Sequence, residues 1–149
     1  MNSAETAYCF RWSSRRSRPG SPITEEEARE RGESGEEFTA VAVRPGQPTP
    51  ALVTVVWKNA YAATRFLDEH GRESVKYVFE RVDEERLFLH RVFIRTYPDE
   101  RPGLMLGDAV RVEEMRIGLD GCVSARKEQA HPRGKRHQEG KRRTRLASS

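Results

Sequence analysis

Two neighbouring runs rich in β-branched and aromatic residues constrain the fold of this chain more than any other feature. Residues 75–82 read VKYVFERV, and residues 87–97 read LFLHRVFIRTY. Side chains of these types fit a pleated, half-buried surface, and the four residues between the runs suit a hairpin loop. The pattern therefore predicts an antiparallel hairpin in which Phe79 lies opposite His90.

Alternation along this hairpin divides its side chains between two faces of a sheet. One face is apolar and is predicted to be buried; it carries Val75, Tyr77, Phe79, Phe88, Val92 and Ile94. The other face is mixed and carries Lys76, Arg91 and Arg95. Because lysine and arginine bind phosphates and carboxylates, these three residues are a candidate site for a small anion or an acidic partner. A solvated sheet face is the alternative interpretation.

Further strand signals extend the sheet on both sides of this hairpin. Residues 38–43 alternate, and residues 52–57 form a nearly continuous apolar run typical of a central strand. Residues 59–70 favour a strand, although a helix there, and hence an α+β fold, fits the same residues. The sequence thus predicts a mainly β domain over residues 38–127. We expect an antiparallel meander of about six or seven strands, either open or partly closed into a barrel.

A second hairpin is predicted where Asp120 and Gly121 follow an alternating run. An Asp-Gly pair favours a tight turn because such turns need positive φ angles, which glycine adopts at little cost. The register predicted from this turn places Leu119 opposite Cys122.

Both ends of the chain are predicted to be disordered. Residues 1–37 mix Ser, Arg, Pro and Gly without clear periodicity, apart from a short helix predicted at 24–31 from the capping-box spacing of Thr24 and Glu27. Residues 126–149 contain nine lysines and arginines but only two acids, while the whole chain has a net charge of +4. We therefore expect a disordered basic tail at 128–149.

This basic tail is a candidate polyanion-binding segment. Its cationic residues are Arg133, Lys135, Arg136, Lys141, Arg142, Arg143 and Arg145. A run of this kind attracts nucleic acid through phosphate contacts, without preference for base sequence. It lacks the interleaved aromatic residues on which a single-strand binder stacks bases. A solubilising end is the alternative interpretation.

The sequence contains no convincing catalytic, metal-binding or cofactor-binding motif. The four histidines do not have the spacing of zinc ligands, and nothing in the sequence supplies a base for Cys122. His90 is predicted to be a core-edge histidine without a catalytic role. We therefore expect a protein that is not an enzyme and that uses no cofactor and no metal.

Length and composition complete the functional prediction. The sequence has no apolar run near the length of a membrane span and no apolar segment typical of a signal peptide. Its two cysteines are expected to be free thiols, which favours the cytoplasm. The first hypothesis is a non-catalytic binding or interaction module for an unknown protein or a small acidic ligand. The alternative is a nucleic-acid-associated protein that binds non-specifically through its basic C-terminal tail.

Overall fold

The computed structural model describes residues 6–16, 18–130 and 136–145, and the fold is mainly β, as predicted. The strands are β1 Thr6–Ser13, β2 Arg18–Ile23, β3 Phe38–Ala42, β4 Ala51–Val56, β5 Tyr61–Leu67, β6 Glu73–Arg81, β7 Leu87–Thr96, β8 Arg111–Ile117, β9 Cys122–Ala130 and β10 Arg136–Arg145. The described residues also form one α-helix, α1 Glu25–Ser34, and two short 3-10 helices, Trp57–Asn59 and Leu106–Asp108.

All ten strands belong to one antiparallel sheet, in the order β10-β9-β8-β7-β6-β5-β4-β3-β1-β2. Strands β3 to β10 form a meander, and the β1–β2 hairpin joins it because β1 pairs with β3. The seven strands β3 to β9 match the six or seven predicted for residues 38–127. Within the described residues β10 does not pair with β2, so the sheet is open and the predicted option of a partly closed barrel is not realised.

The segment 59–70, for which a helix was the alternative, contains strand β5. This strand pairs with β4 on one side, from Tyr61 to Phe66, and with β6 on the other, from Tyr61 to Leu67. A helix here would leave the backbone groups of both neighbours without these partners, and unpaired buried backbone groups are costly. The strand prediction is therefore confirmed, and the α+β alternative is wrong.

The expectation of disorder at the N-terminal end is wrong for the described residues. The hairpin of β1 and β2 extends the sheet, and the side chain of Cys9 is completely buried. The alternation of Tyr8, Phe10 and Trp12 is a strand pattern that the surrounding Ser, Arg and Pro residues obscure. Pairing of β1 with β3 supplies backbone partners that a composition argument does not take into account.

The C-terminal end also differs from the prediction. Residues 136–145, expected to be disordered, form β10 and pair with β9, with a register shift between Glu139 and Arg142. Backbone pairing to an available sheet edge requires no apolar side chain, so charge alone did not indicate this strand. Residues 131–135 and 146–149 of the predicted tail lie outside the described residues.

The helix predicted at 24–31 is present as α1 and runs further than expected. Thr24 is the N-cap, and its side chain accepts a hydrogen bond from the backbone N–H of Glu27. The helix continues past Gly32 and ends at Gly35, whose φ of 82° is the left-handed conformation that suits glycine.

The register predicted for the central hairpin is correct only in part. Val75 lies opposite Ile94 as expected, but the register shifts after Val78. Phe79 therefore pairs with Leu89, so the predicted pairing with His90 is wrong. The extra residue is a β-bulge, which has no strong sequence signal in a run of alternating β-formers.

The turn at Asp120 and Gly121 is present, and Gly121 has a φ of 82°. The predicted pairing of Leu119 with Cys122 is wrong by one residue, because the N–H of Gly118 donates to the carbonyl oxygen of Cys122 at 2.8 Å. The loop therefore holds three residues and ends in a left-handed glycine, a common hairpin arrangement.

The two faces of the sheet differ in burial in a way that reverses the prediction. We call the side that carries Thr39, Thr54, Ala63, Val78 and Arg91 in one cross-strand row the charged face. The side that carries Tyr77, Val92 and Met115 is the apolar face. The most completely buried side chains, Leu52, Thr39 and Cys9, lie on the charged face. On the apolar face, which was predicted to be buried, Ile94 is 43% exposed and Met115 is 40% exposed.

The burial of the charged face has a visible cause at the N-terminal end. Trp12 of β1 packs against a cluster of buried side chains, namely Cys9, Val41, Leu52 and Leu67. The core of the protein therefore lies under the N-terminal hairpin. The more distant strands β7 to β9 keep an open charged surface, which positions the candidate site.

Candidate anion-binding surface

The three residues predicted as an anion or partner site come together on the charged face. Lys76 of β6 lies directly opposite Phe93 of β7. Arg91 and Arg95 flank Phe93 on the same strand, and their guanidinium carbons lie 4.7 and 5.1 Å from its ring centroid. Both distances are within the range of cation–π contacts. The structure thus gathers Lys76, Arg91 and Arg95 around one aromatic ring, and their binding role stays a prediction.

Glu114 of β8 holds two of the cations on this face. It lies opposite Phe93, and its Oε1 accepts hydrogen bonds from Arg91 at 2.9 Å and from Arg116 at 2.6 Å. Burial opposes the charged form of Glu114, but the bonds from Arg116 and Arg91 outweigh it and keep the pKa below its usual range. Glu114 is therefore an ionised ligand of two arginines and is unsuited to serve as a general acid.

Glu73 is the second carboxylate that pairs with arginines on the charged face. Its side chain is 9% exposed, forms an ion pair with Arg95, and lies 3.9 Å from Nε of Arg65. The backbone carbonyl of Glu73 accepts a 2.6 Å hydrogen bond from the hydroxyl of Tyr97. Burial and the charge of Glu73 raise the pKa of Tyr97 to about 12, so this phenol stays neutral and keeps the bond.

The part of the charged face around Lys76, Arg91 and Arg95 carries more positive than negative charge. Five cations share this part of the face, and we call them the cation cluster: Arg65, Lys76, Arg91, Arg95 and Arg116. Two carboxylates, Glu73 and Glu114, form ion pairs with the four arginines. Lys76 has no ion pair in the described part of the chain. The cluster therefore keeps an excess of three positive charges.

Sequence reasoning found three of these five cations and missed their carboxylates. The true partners come from strand β8 and from the start of β6. Finding them requires the register of Phe93 with Glu114, which the hairpin pattern alone does not specify.

His90 and the two cysteines are the other residues that the sequence analysis considered. His90, the bulge residue, lines a depression of about 1060 Å³ with Arg91, Glu114, Arg116 and Cys122. Cys122 forms no disulfide with Cys9, in agreement with the prediction of thiols. Burial raises the pKa of Cys9, which keeps its thiol protonated and unreactive.

The structure describes only part of the predicted polyanion-binding tail. Arg133 and Lys135 lie outside the described residues. The backbone of the other five, Arg136, Lys141, Arg142, Arg143 and Arg145, belongs to β10. Their role in binding nucleic acid stays a prediction.

Comparison of the chain with protein-family models, with curated proteins and with solved structures gives no match. Among the described residues, no group of three or more His, Cys, Asp or Glu side chains is arranged to hold a metal ion. The same part of the chain has no helix with the length and apolar character needed to cross a membrane. The chemistry of the cation cluster is therefore the available guide to function.

Proposed function

We propose that this protein is a non-catalytic binding module that holds an acidic protein segment against the cation cluster. One observation carries the proposal: five cationic side chains share one part of the charged face, and two carboxylates neutralise only part of their charge. An excess of fixed positive charge attracts acidic partners and raises their association rate.

The arginines of the cluster are held in place before any partner arrives. Arg91 donates through Nε and Nη2 to Glu114 and stacks on Phe93, so its rotamer is already restricted. A guanidinium has five N–H groups, and donors remain for a second carboxylate. Side chains ordered in advance lose less entropy on binding, which favours recognition without chemistry.

The polarity of the surface also favours a protein segment over a small substrate. The depression beside β7 to β9 has a volume of about 1060 Å³ and is lined mainly by charged and polar side chains, including Arg91, Arg116 and Arg126. Substrate pockets are usually concave and largely apolar. An extended acidic peptide could lie across these strands and place carboxylates on successive arginines.

The test is binding of a fluorescein-labelled polyglutamate peptide, followed by fluorescence anisotropy at low salt. Lys76→Glu is the informative variant, because it reverses the charge that has no ion pair in the described chain. Lys58→Glu is the matched control, since Lys58 is exposed in the 3-10 helix after β4 and changes the net charge equally. We expect Lys76→Glu to weaken binding at least about tenfold, which corresponds to about 1.4 kcal/mol.

The control separates local recognition from general attraction. Equal weakening by Lys58→Glu would show that net charge alone attracts the peptide. Absence of binding by the wild-type protein at low salt would refute the proposal. Circular dichroism of both variants verifies that the sheet is intact.

A further inference from the structure

A separate cleft lies on the charged face under the N-terminal hairpin. Trp12 of β1 forms one wall, and the side chains of Thr54, Tyr61, Arg65 and Lys76 form others. Its volume is about 220 Å³. Sites for drug-sized molecules measure roughly 300–1,000 Å³, so this cleft suits a smaller ligand.

Within the described chain, the indole N–H of Trp12 is an unpaired donor in a residue that lines the cleft. Its Nε1 is buried and has no hydrogen-bond partner in the described residues. A buried donor without a partner costs about 1–3 kcal/mol, and buried tryptophans normally satisfy this group. The missing partner is an acceptor, which is the role of a carboxylate or phosphate oxygen.

The charges lining the cleft favour an anionic occupant. Three cations, Arg11, Arg65 and Lys76, line it, together with one carboxylate, Glu37. Arg11 donates to that carboxylate at 3.1 Å, so the pair is neutral overall. The other two cations, Arg65 and Lys76, are cross-strand neighbours, and of these only Arg65 has an ion pair among the described residues, with Glu73 at 3.9 Å.

Two hydrogen-bonded threonine hydroxyl groups form the floor of the cleft. The hydroxyl groups of Thr39 and Thr54 form a 2.9 Å hydrogen bond, and both residues are buried. Nη2 of Arg65 lies 3.5 Å from Oγ1 of Thr54, which holds the guanidinium over this floor. The rings of Trp12 and Tyr61 offer flat apolar surfaces beside these polar groups.

We infer that this cleft binds a small organic dianion, with carboxylate or phosphate oxygens and a flat apolar body. The oxygens accept from the indole N–H of Trp12 and pair with Arg65 and Lys76, while the body packs on the aromatic rings. The cleft goes beyond the proposed protein-binding role, because Trp12 and Thr54 lie away from Phe93 and Arg91. Only Arg65 and Lys76 are common to both sites.

The test uses the indole N–H signals of the full-length protein in nitrogen–proton correlation NMR. The chain has two tryptophans, and the variants Trp12→Phe and Trp57→Phe assign the two signals. Phthalate and phenyl phosphate serve as the probes, because they carry the same charge on a carboxylate and a phosphate source. Benzyl alcohol is the neutral control.

We expect each dianion that binds to move the Trp12 signal downfield and saturably, while the Trp57 signal stays in place. Trp12→Phe retains an aromatic wall but loses the donor, and should weaken binding about fivefold to tenfold, or about 1–1.4 kcal/mol. Arg91→Gln should leave this binding unchanged and should weaken polyglutamate binding, so the two sites are tested separately.

Three results would overturn the inference. The first is no saturable shift of the Trp12 signal with either dianion at about 10 mM, a concentration that would fill a site of millimolar Kd. The second is an equal shift with benzyl alcohol, which would indicate an apolar pocket. The third is unchanged affinity in Trp12→Phe, which would place binding elsewhere.

Discussion

Removal of one hydroxyl group from the Thr39–Thr54 pair should cost more than removal of both. Thr39 is 1% exposed and Thr54 is 9% exposed, and their hydroxyl oxygens lie 2.9 Å apart. Valine has nearly the shape of threonine, so each substitution deletes a polar atom with little change in packing. The experiment is a double-mutant cycle of Thr39→Val, Thr54→Val and the combined variant.

The structure sets the expected magnitude for each corner of the cycle. Thr39→Val leaves the Thr54 hydroxyl buried with only the 3.5 Å contact to Arg65, and an unsatisfied buried group costs about 1–3 kcal/mol. Thr54→Val leaves the Thr39 hydroxyl without a partner, because this hydroxyl has no other hydrogen bond among the described residues. The cost should be similar. Replacing both partners by apolar groups of the same shape is nearly neutral. We therefore expect a coupling free energy of about 2 kcal/mol or more, because two costs of at least about 1 kcal/mol each disappear in the combined variant.

Urea unfolding followed by far-ultraviolet circular dichroism measures each free energy of unfolding. The slope with urea should be the same in all four proteins, since the surface exposed on unfolding hardly changes. Additive costs, with the double variant less stable than either single variant, would refute the reasoning. That result would mean that the two hydroxyl groups do not depend on each other.

Two other predictions concern pH and the basic tail. Tyr97 has its pKa raised to about 12, so its stabilising effect is complete below the ordinary tyrosine value near pH 10 and is lost as pH rises through about 12. Tyr97→Phe should cost about 1 kcal/mol at neutral pH and should remove the phenolate absorbance change near pH 12; an unaltered titration curve would contradict this assignment. If the tail binds nucleic acid, the log–log salt slope of DNA binding should be about −6, from about seven phosphate contacts. Replacing its seven lysines and arginines by glutamine should abolish this binding and leave polyglutamate binding intact, whereas retained DNA binding would place the nucleic-acid site elsewhere.

Local patterns were sufficient to predict the strands of the central meander. The continuous apolar run of β4 is a central strand between β3 and β5, with buried residues on both faces, as its composition indicated. The Thr24 cap of α1 was also visible in the sequence, since capping depends on residues three positions apart. These features share a cause: each depends on interactions between residues close in the chain.

Non-local pairing explains what the sequence did not reveal. Whether residues 6–13 form a strand depends on β3, which begins 25 residues after β1 ends. The bulge after Val78 moves Phe88 from the predicted apolar face to the charged face, and alternation alone cannot locate it. The role of Glu114 likewise requires its register with Phe93. In each case, the deciding partner lies in another strand.

The two proposed sites depend on the same unexpected feature, the burial of the charged face. A single sheet has no second layer, so its side chains become buried only where another part of the chain covers them. Trp12 supplies that cover over Leu52 and Cys9, and it also lines the cleft that contains Arg65 and Lys76. Beyond that cover, Arg91 and Arg95 remain partly accessible around Phe93. The N-terminal hairpin thus divides one charged face into the cleft proposed for a small anion and the open surface proposed for an acidic chain.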